Sequence, residues 1–302
     1  MVIIVEVFWQ VIAPIFLVAG AGYFLARKLN LRPHGLSKAA FYVFTPCLLF
    51  DTLSGTTLSA GELGQLVLFA VLTIAGTALI AWIISRTKGY GSAQTSALVI
   101  VAMAGNAGNY GLPANRFAFG EASLEPAIVY FTINALILAT VGVYLAALGR
   151  RSSRDAFRNL LKVPLTYAAL AGLFVWATGL KVPVPIERAT SLAAQGSIPV
   201  MVLLLGVQLA RVRLRDDISR ISLASAVRLI GGPLLGFLFA GLLGLTGINR
   251  QVSILEASMP TAVMATVLAT EYDAEPEFTA GTVLVTTLAS TITLTIVITL
   301  LR

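Results

Sequence analysis

The chain has 302 residues, of which 57% are apolar and 12% charged, and a net charge of +7; its mean hydropathy is +0.89. Soluble domains carry roughly 25% charged residues, so a soluble fold is excluded, and at about 20 apolar residues per bilayer crossing there is room for ten spans and no sizeable soluble domain. The basic excess does not point to nucleic acid, because Lys and Arg sit in short segments between apolar runs, where they set membrane orientation.

Taken in chain order, the first half is expected to cross the membrane at 5–26, 37–53, 63–85, 92–119 and 126–148. The second half is expected to cross at 161–180, 188–209, 222–245, 251–270 and 278–301. The first run lacks a basic leader and continues for about 20 residues, so it reads as a true span and not a cleaved signal. The expected fold is an all-α integral membrane protein of ten transmembrane helices. Residues 1–148 form an N-terminal five-helix unit, 149–160 a cytoplasmic linker and 161–302 a C-terminal five-helix unit. Cys47, the one cysteine, excludes an intramolecular disulfide and reads as a small buried apolar side chain.

Fifteen of the 21 basic residues fall in the odd-numbered connections: Arg27, Lys28, Arg32 and Lys38; Arg86 and Lys88; Arg150, Arg151, Arg154, Arg158 and Lys162; Arg211, Arg213, Arg215 and Arg220. Those connections are therefore expected to be cytoplasmic, with both termini outside a plasma (inner) membrane. The ninth connection is acidic, with Glu271, Asp273, Glu275 and Glu277, but acidic residues weigh little in that rule. Segment 150–162 reads as an orientation signal and linker, although Phe157, Leu160 and Leu161 could lay it on the inner membrane face. His34, the only histidine, is expected to be solvated in the first connection.

The halves resemble each other. A shift of 150 residues superposes Pro14 on Pro164, Gly22 on Gly172, Phe24 on Phe174 and Pro33 on Pro183. Shifts of 153 and 147 bring Pro46 onto Pro199 and Pro113 onto Pro260. Five spans is an odd number, so the second half would cross in the opposite sense. That is the inverted repeat of many secondary transporters.

The unusual chemistry lies in the fourth and ninth spans. Gly105-Asn106-Ala107-Gly108-Asn109-Tyr110-Gly111-Leu112-Pro113 is a poor helix. A break at mid-membrane exposes carbonyls that suit a cation and a helix N-terminus that suits an anion. The competing reading is a proline kink with glycines for close packing. In the ninth span Glu256 precedes Met259, Pro260 and Thr261; an intramembrane carboxylate must be paired, protonated or bound to a cation. Pro46 and Pro199 are expected to kink the second and seventh spans. Thr132 and Asn134 could line the broken helices, although Thr132 could also bond its own backbone. Arg228 could snorkel to the cytoplasmic surface or attract an anion. No Walker loop, nucleophile triad or His/Cys metal cluster is present in the sequence, so neither an enzyme nor an ATP-driven pump is expected.

These residues resemble the auxin efflux carrier family, in particular its prokaryotic members. The likeness rests on Asn106 to Pro113, on Ile198-Pro199-Val200-Met201-Val202-Leu203-Leu204-Leu205-Gly206 and on Arg228-Leu229-Ile230 with Pro233. It is closest over Ala257 to Val263, Ala269, Tyr272 and 286–290. It implies two inverted five-helix repeats related in fold to the bile-acid sodium symporters. Helices 4 and 9 would be broken and cross at mid-membrane, and a panel would stand beside a moving core. It also implies transport of organic anions: malonate, malate and similar acids in bacteria, auxin in plants. The long cytoplasmic loop of many plant members is absent. The carboxylate is expected at the crossing, among Asn106, Asn109, Tyr110, Gly111, Pro113, Met259, Pro260, Thr261 and Arg228. By likeness to the sodium symporters, Asn106, Asn109, Thr132, Asn134, Glu256 and the Met259 carbonyl would hold a sodium ion. Beyond that ion no cofactor is expected. The expected partners are a small organic anion and the lipid bilayer, with a homodimer as an option and no nucleic acid. A secondary carrier, coupled to sodium or protons, is the leading expectation. An uncoupled channel or uniporter and a non-transporting ligand sensor are the rivals.

Overall fold

The computed structural model describes residues 2–147, 163–212 and 217–302. The expected linker 149–160, the other residues of 150–162, Arg213 and Arg215 lie outside them. In chain order the helices are α1 (Ile3–Lys28), α2 (33–54), α3 (Ala60–Thr87), α4 (Ser92–Met103), α5 (107–119) and α6 (Glu121–Ala146). They continue with α7 (Pro164–Thr178), α8 (Val184–Leu209), α9 (Ile218–Leu242), α10 (Gly247–Ala257), α11 (Val263–Glu271) and α12 (Pro276–Leu301). Among the described residues there is no strand, only an isolated antiparallel bridge between Gly105 and Thr261. Among the described residues, six helices are long and apolar enough to cross a membrane.

Helix ends fall within a few residues of the expected spans, and the local chemistry explains several. Ser59 starts α3 with a capping box: its hydroxyl accepts from the Glu62 amide at 3.3 Å, and the Glu62 carboxylate accepts from the Ser59 amide at 2.9 Å. That satisfies two otherwise orphaned donors. Gly179 ends α7 with φ +64°, a left-handed cap that glycine adopts without strain. The fourth and ninth expected spans are not continuous helices. Each is interrupted, between α4 and α5 and between α10 and α11.

Prolines leave a regular mark. Five-residue stretches of widened π-turn occupy Phe8–Ile12, Ala40–Phe44, Ala107–Gly111, Leu138–Gly142 and Val227–Gly231. All but Leu138–Gly142 end two residues before a proline: Pro14, Pro46, Pro113 and Pro233. A proline in a helix lacks its own N–H and pushes on the carbonyl four residues back; a turn widened by one residue moves that carbonyl aside. The expected kink at Pro46 is such a turn, whereas Pro199 sits inside α8 without one.

The helices sort into two packed groups. α1 lies along α8, and α2 lies along α7 and α8. The close approach of α1 and α8 rests on two glycines: a Cβ on Gly22 would overlap the Leu203 carbonyl, and one on Gly206 would overlap the Ala19 carbonyl. The second group contains α3, α4, α6, α9, α10 and α12, with the half-helices α5 and α11. Large apolar side chains point outward, among them Leu17 (74% exposed), Leu192 (73%) and Leu242 (70%), while Arg228 and Glu256 are buried. Apolar outside and charged inside is the arrangement a lipid solvent selects.

Candidate functional site: a crossing of two broken helices

The two interruptions meet and pair. The Asn106 amide donates to the Pro260 carbonyl at 2.8 Å, and the Ala262 amide donates to the Ala104 carbonyl at 2.7 Å. These two bonds form the Gly105–Thr261 bridge. Thr261 reinforces it, its hydroxyl donating to the Val101 carbonyl at 3.0 Å and its amide to the Thr286 hydroxyl at 3.2 Å. The Asn134 side-chain amide donates to the Gly105 carbonyl at 2.8 Å.

Helix ends leave orphan carbonyls and amides, and the crossing treats the two kinds differently. The carbonyls are all taken. At the end of α4, Ile100 accepts from the Ala104 amide, Val101 from Thr261, Ala102 from Arg228 and Met103 from the Gly105 amide. At the end of α10, Ile254 and Leu255 accept from the Ser258 amide and Glu256 from the Met259 amide. Arg228 completes that end. Its Nε donates to Met259 at 2.7 Å, its Nη1 to Ala102 at 2.9 Å and its Nη2 to Ala257 at 3.1 Å.

The amides are left open. The backbone N–H groups of Ala107, Gly108 and Asn109 at the start of α5, and of Val263 and Met264 at the start of α11, meet no acceptor among the described residues. The Asn106 side-chain nitrogen is buried and also without an acceptor. Asn106, Gly108, Asn109, Val263 and Met264 line one cavity of about 920 Å³. Its mouth is formed near Pro33, His34, Lys38, Arg211 and Glu277, at the start of α2, just past the end of α8 and at the start of α12. Gln208 lines it as well, with a buried carbonyl oxygen that meets no donor.

The opposite side is closed. Tyr110, fully buried, packs edge-on against Phe16 of α1 with ring centroids 6.0 Å apart. The Glu125 carboxylate accepts from the Thr56 hydroxyl at 2.7 Å and the Thr57 amide at 2.9 Å.

The expected site residues therefore separate. Asn106, Asn109 and Asn134 line the cavity. Tyr110, Gly111 and Pro113 are buried behind it, and Met259, Pro260 and Thr261 form the buried non-helical segment of the crossing. Arg228 is 1% exposed; it neither snorkels nor forms part of the cavity wall, but serves carbonyls. Thr132 donates to the Ile128 carbonyl at 2.7 Å, bonding its own helix. Glu256 faces α5, where one carboxylate oxygen accepts from the Asn115 side chain at 2.8 Å and the other meets no donor. The sequence reading missed Asn115, whose only signal was a third asparagine one turn past Gly111. Thr286 enters that reading only within the resemblance at 286–290, with no role at the crossing, where it accepts from the Thr261 amide. The acidic ninth connection has a local reason, since Glu275 pairs with Arg220 at 2.8 Å.

The model of a family described as membrane transport protein matches residues 7–298. The chain belongs to this family, which includes prokaryotic transporters and plant auxin efflux carriers. A Methanothermobacter thermautotrophicus protein named "Uncharacterized transporter" is 29% identical over 84% of each chain. A Rhizobium meliloti protein named "Putative malonate transporter" is 26% identical over 92% of this chain and 90% of its own. Auxin efflux carrier component 1 of Arabidopsis thaliana is 27% identical over 42% of this chain and 22% of its own. A membrane transport protein has a bilayer around it and a small molecule to carry, and the apolar exterior and the cavity suit both.

Proposed function

We propose that this membrane transport protein is a secondary carrier of small carboxylates that works by alternating access. The observation that carries the reading is the pair of open helix N-termini, α5 and α11, at the end of one cavity beside the unpartnered Asn106 amide. Helix N-termini supply free N–H groups and a positive dipole end, both suited to an anion. Asn109, half-buried on the same wall, would add a donor. His34, Lys38 and Arg211 near the mouth would draw anions in. The relative named for malonate supports a small dicarboxylate over a large amphipathic acid.

The proposal includes ten spans, with α4–α5 and α10–α11 each counted as one broken span. Two inverted five-helix repeats would exchange conformations to open the site to either side. With the basic connections cytoplasmic and the termini outside, the cavity opens inward.

Purified protein titrated with malonate, malate and indole-3-acetate is expected to gain thermal stability with at least one acid, since a ligand of the folded state stabilises it. Loss of one donor to a charged ligand is worth roughly 1.5–3 kcal/mol, so Asn106→Ala should weaken that acid about 10-fold or more. No shift with any carboxylate would sink the substrate class. A channel differs in a specific way: preloaded vesicles would show no counterflow of labelled acid.

A further inference from the structure

Arg228 occupies the one place at the crossing where two helix C-termini converge. Each C-terminus carries roughly half a negative charge. In transporters with discontinuous helices such ends, with unwound carbonyls beside them, coordinate the coupling cation. Here the guanidinium reaches both ends at once, Ala102 of α4 and Ala257 of α10, and also the unwound Met259 carbonyl. The backbone is cleared for it. A Cβ on Gly105 would stand 2.5 Å from Nη2, and one on Gly232 would collide with the Ala257 carbonyl that Nη2 holds.

Three members of the sodium set implied by the resemblance are already engaged in other bonds. The Met259 carbonyl is already engaged by Nε at 2.7 Å, and a second cation there would face the guanidinium across a few ångströms of dry interior. Thr132 points its hydroxyl at Ile128. Glu256 turns to Asn115 and Gly111 of α5.

We propose that Arg228 is a tethered substitute for the mobile coupling cation at this crossing. Its charge offsets the two converging dipoles, its three donors close the carbonyls, and it stays with the protein through every cycle. Resting on the carrier reading, it follows that the acid moves without a sodium ion bound at these carbonyls.

The test is thermal stability of detergent-purified protein, with no acid present, at constant ionic strength. The wild type is expected to melt at one temperature in sodium, lithium, potassium and choline chlorides. A rise specific to sodium, saturating with concentration, would overturn the proposal whatever any variant does. Arg228→Ala leaves the carbonyls open and is expected to lose roughly 5–10 °C. At tens of millimolar, guanidinium or sodium should recover at least half of that loss, and choline none. A monodisperse Arg228→Ala protein indifferent to both small cations would also overturn it. Arg228→Lys keeps a tethered charge and is expected to stay cation-independent. None of these readouts needs a transported acid. A wild type that binds no carboxylate therefore defeats the substrate reading and leaves this one to be judged on the cations alone.

Discussion

The two helix groups bury opposite chemistry. Helices α1, α2, α7 and α8 contribute only Thr45 and Ser197 to the buried polar residues described, and Ser197 bonds the Phe44 carbonyl across the α2–α8 contact. The other group buries Arg228, Glu256, Asn106, Asn115, Asn134 and most of the threonines and serines. Between helices in lipid there is little hydrophobic force, so association rests on close packing or on polar bonds. The first group uses shape: Gly22, Gly206 and Gly172 admit the backbone or Cβ atoms of their neighbours. The second uses a directional polar network. A group held by shape suits a fixed panel, and one whose buried charges are held internally suits a body that moves as a unit.

Breaking the shape-based contact should cost most. Gly206→Val puts side-chain atoms where the Ala19 carbonyl lies, and overpacking costs about 1–3 kcal/mol or more. Because the neighbour is backbone and cannot rotate away, the expected result is loss of monodisperse protein on size exclusion. Gly20 is the control. It lies on the same helix as Ala19, and a Cβ there meets nothing within 4 Å. Gly20→Ala should leave the melting temperature unchanged or raise it slightly. Equal damage from both would refute the packing account.

The polar group should respond less severely and with specificity. A Cβ on Gly111 would fall on the Glu256 carboxylate, with Oε1 2.6 Å away. Gly111→Ala is therefore expected to cost roughly 1–3 kcal/mol, less than Gly206→Val because a side chain can shift. Glu256→Ala in the same chain should remove most of that cost. A double-mutant cycle with no coupling would show that Gly111 is small for another reason.

These pairs also show what the sequence could and could not reveal. Helix positions were legible because, in a chain with so little charge, an apolar run of about 20 residues fits little besides a membrane-crossing helix. The two breaks were legible because Gly, Asn and Pro cluster there. Long-range partners were not. Arg228 lies 126 residues from Ala102 and 31 from Met259, and nothing local says that its side chain turns to carbonyls instead of to water or to an anion. Asn115 and Glu256 are 141 residues apart. The sequence named Asn106, Asn109 and Asn134 together, and only the fold separates the open amide of Asn106 from the Asn134 nitrogen already bound to Gly105. Thr132 took its more ordinary option.

The smallest expected effect lies where the two groups touch on the closed side. Thr56 and Thr57 follow α2 of the first group, and Glu125 lies in the first turns of α6 in the second. The Glu125 carboxylate gathers the Thr56 hydroxyl, the Thr57 amide and, at 3.2 Å, the Thr57 hydroxyl. Thr57 is exposed, so water competes for these bonds and the whole latch is worth about 0.5–1.5 kcal/mol. If the groups move relative to each other, the latch must open whenever the cavity closes on its present side and opens on this one. Glu125→Ala should therefore shift that equilibrium by roughly 2- to 10-fold, since about 1.4 kcal/mol is a factor of ten. Hydrogen exchange is the measurement. Protection should fall by that factor at 55–59 and around Tyr110, which the same movement uncovers, and stay constant along the α1–α8 contact. Loss of protection along α1 and α8 as well would mean that the carboxylate holds the whole fold together. In that case the division into a panel and a moving body would fail at this latch.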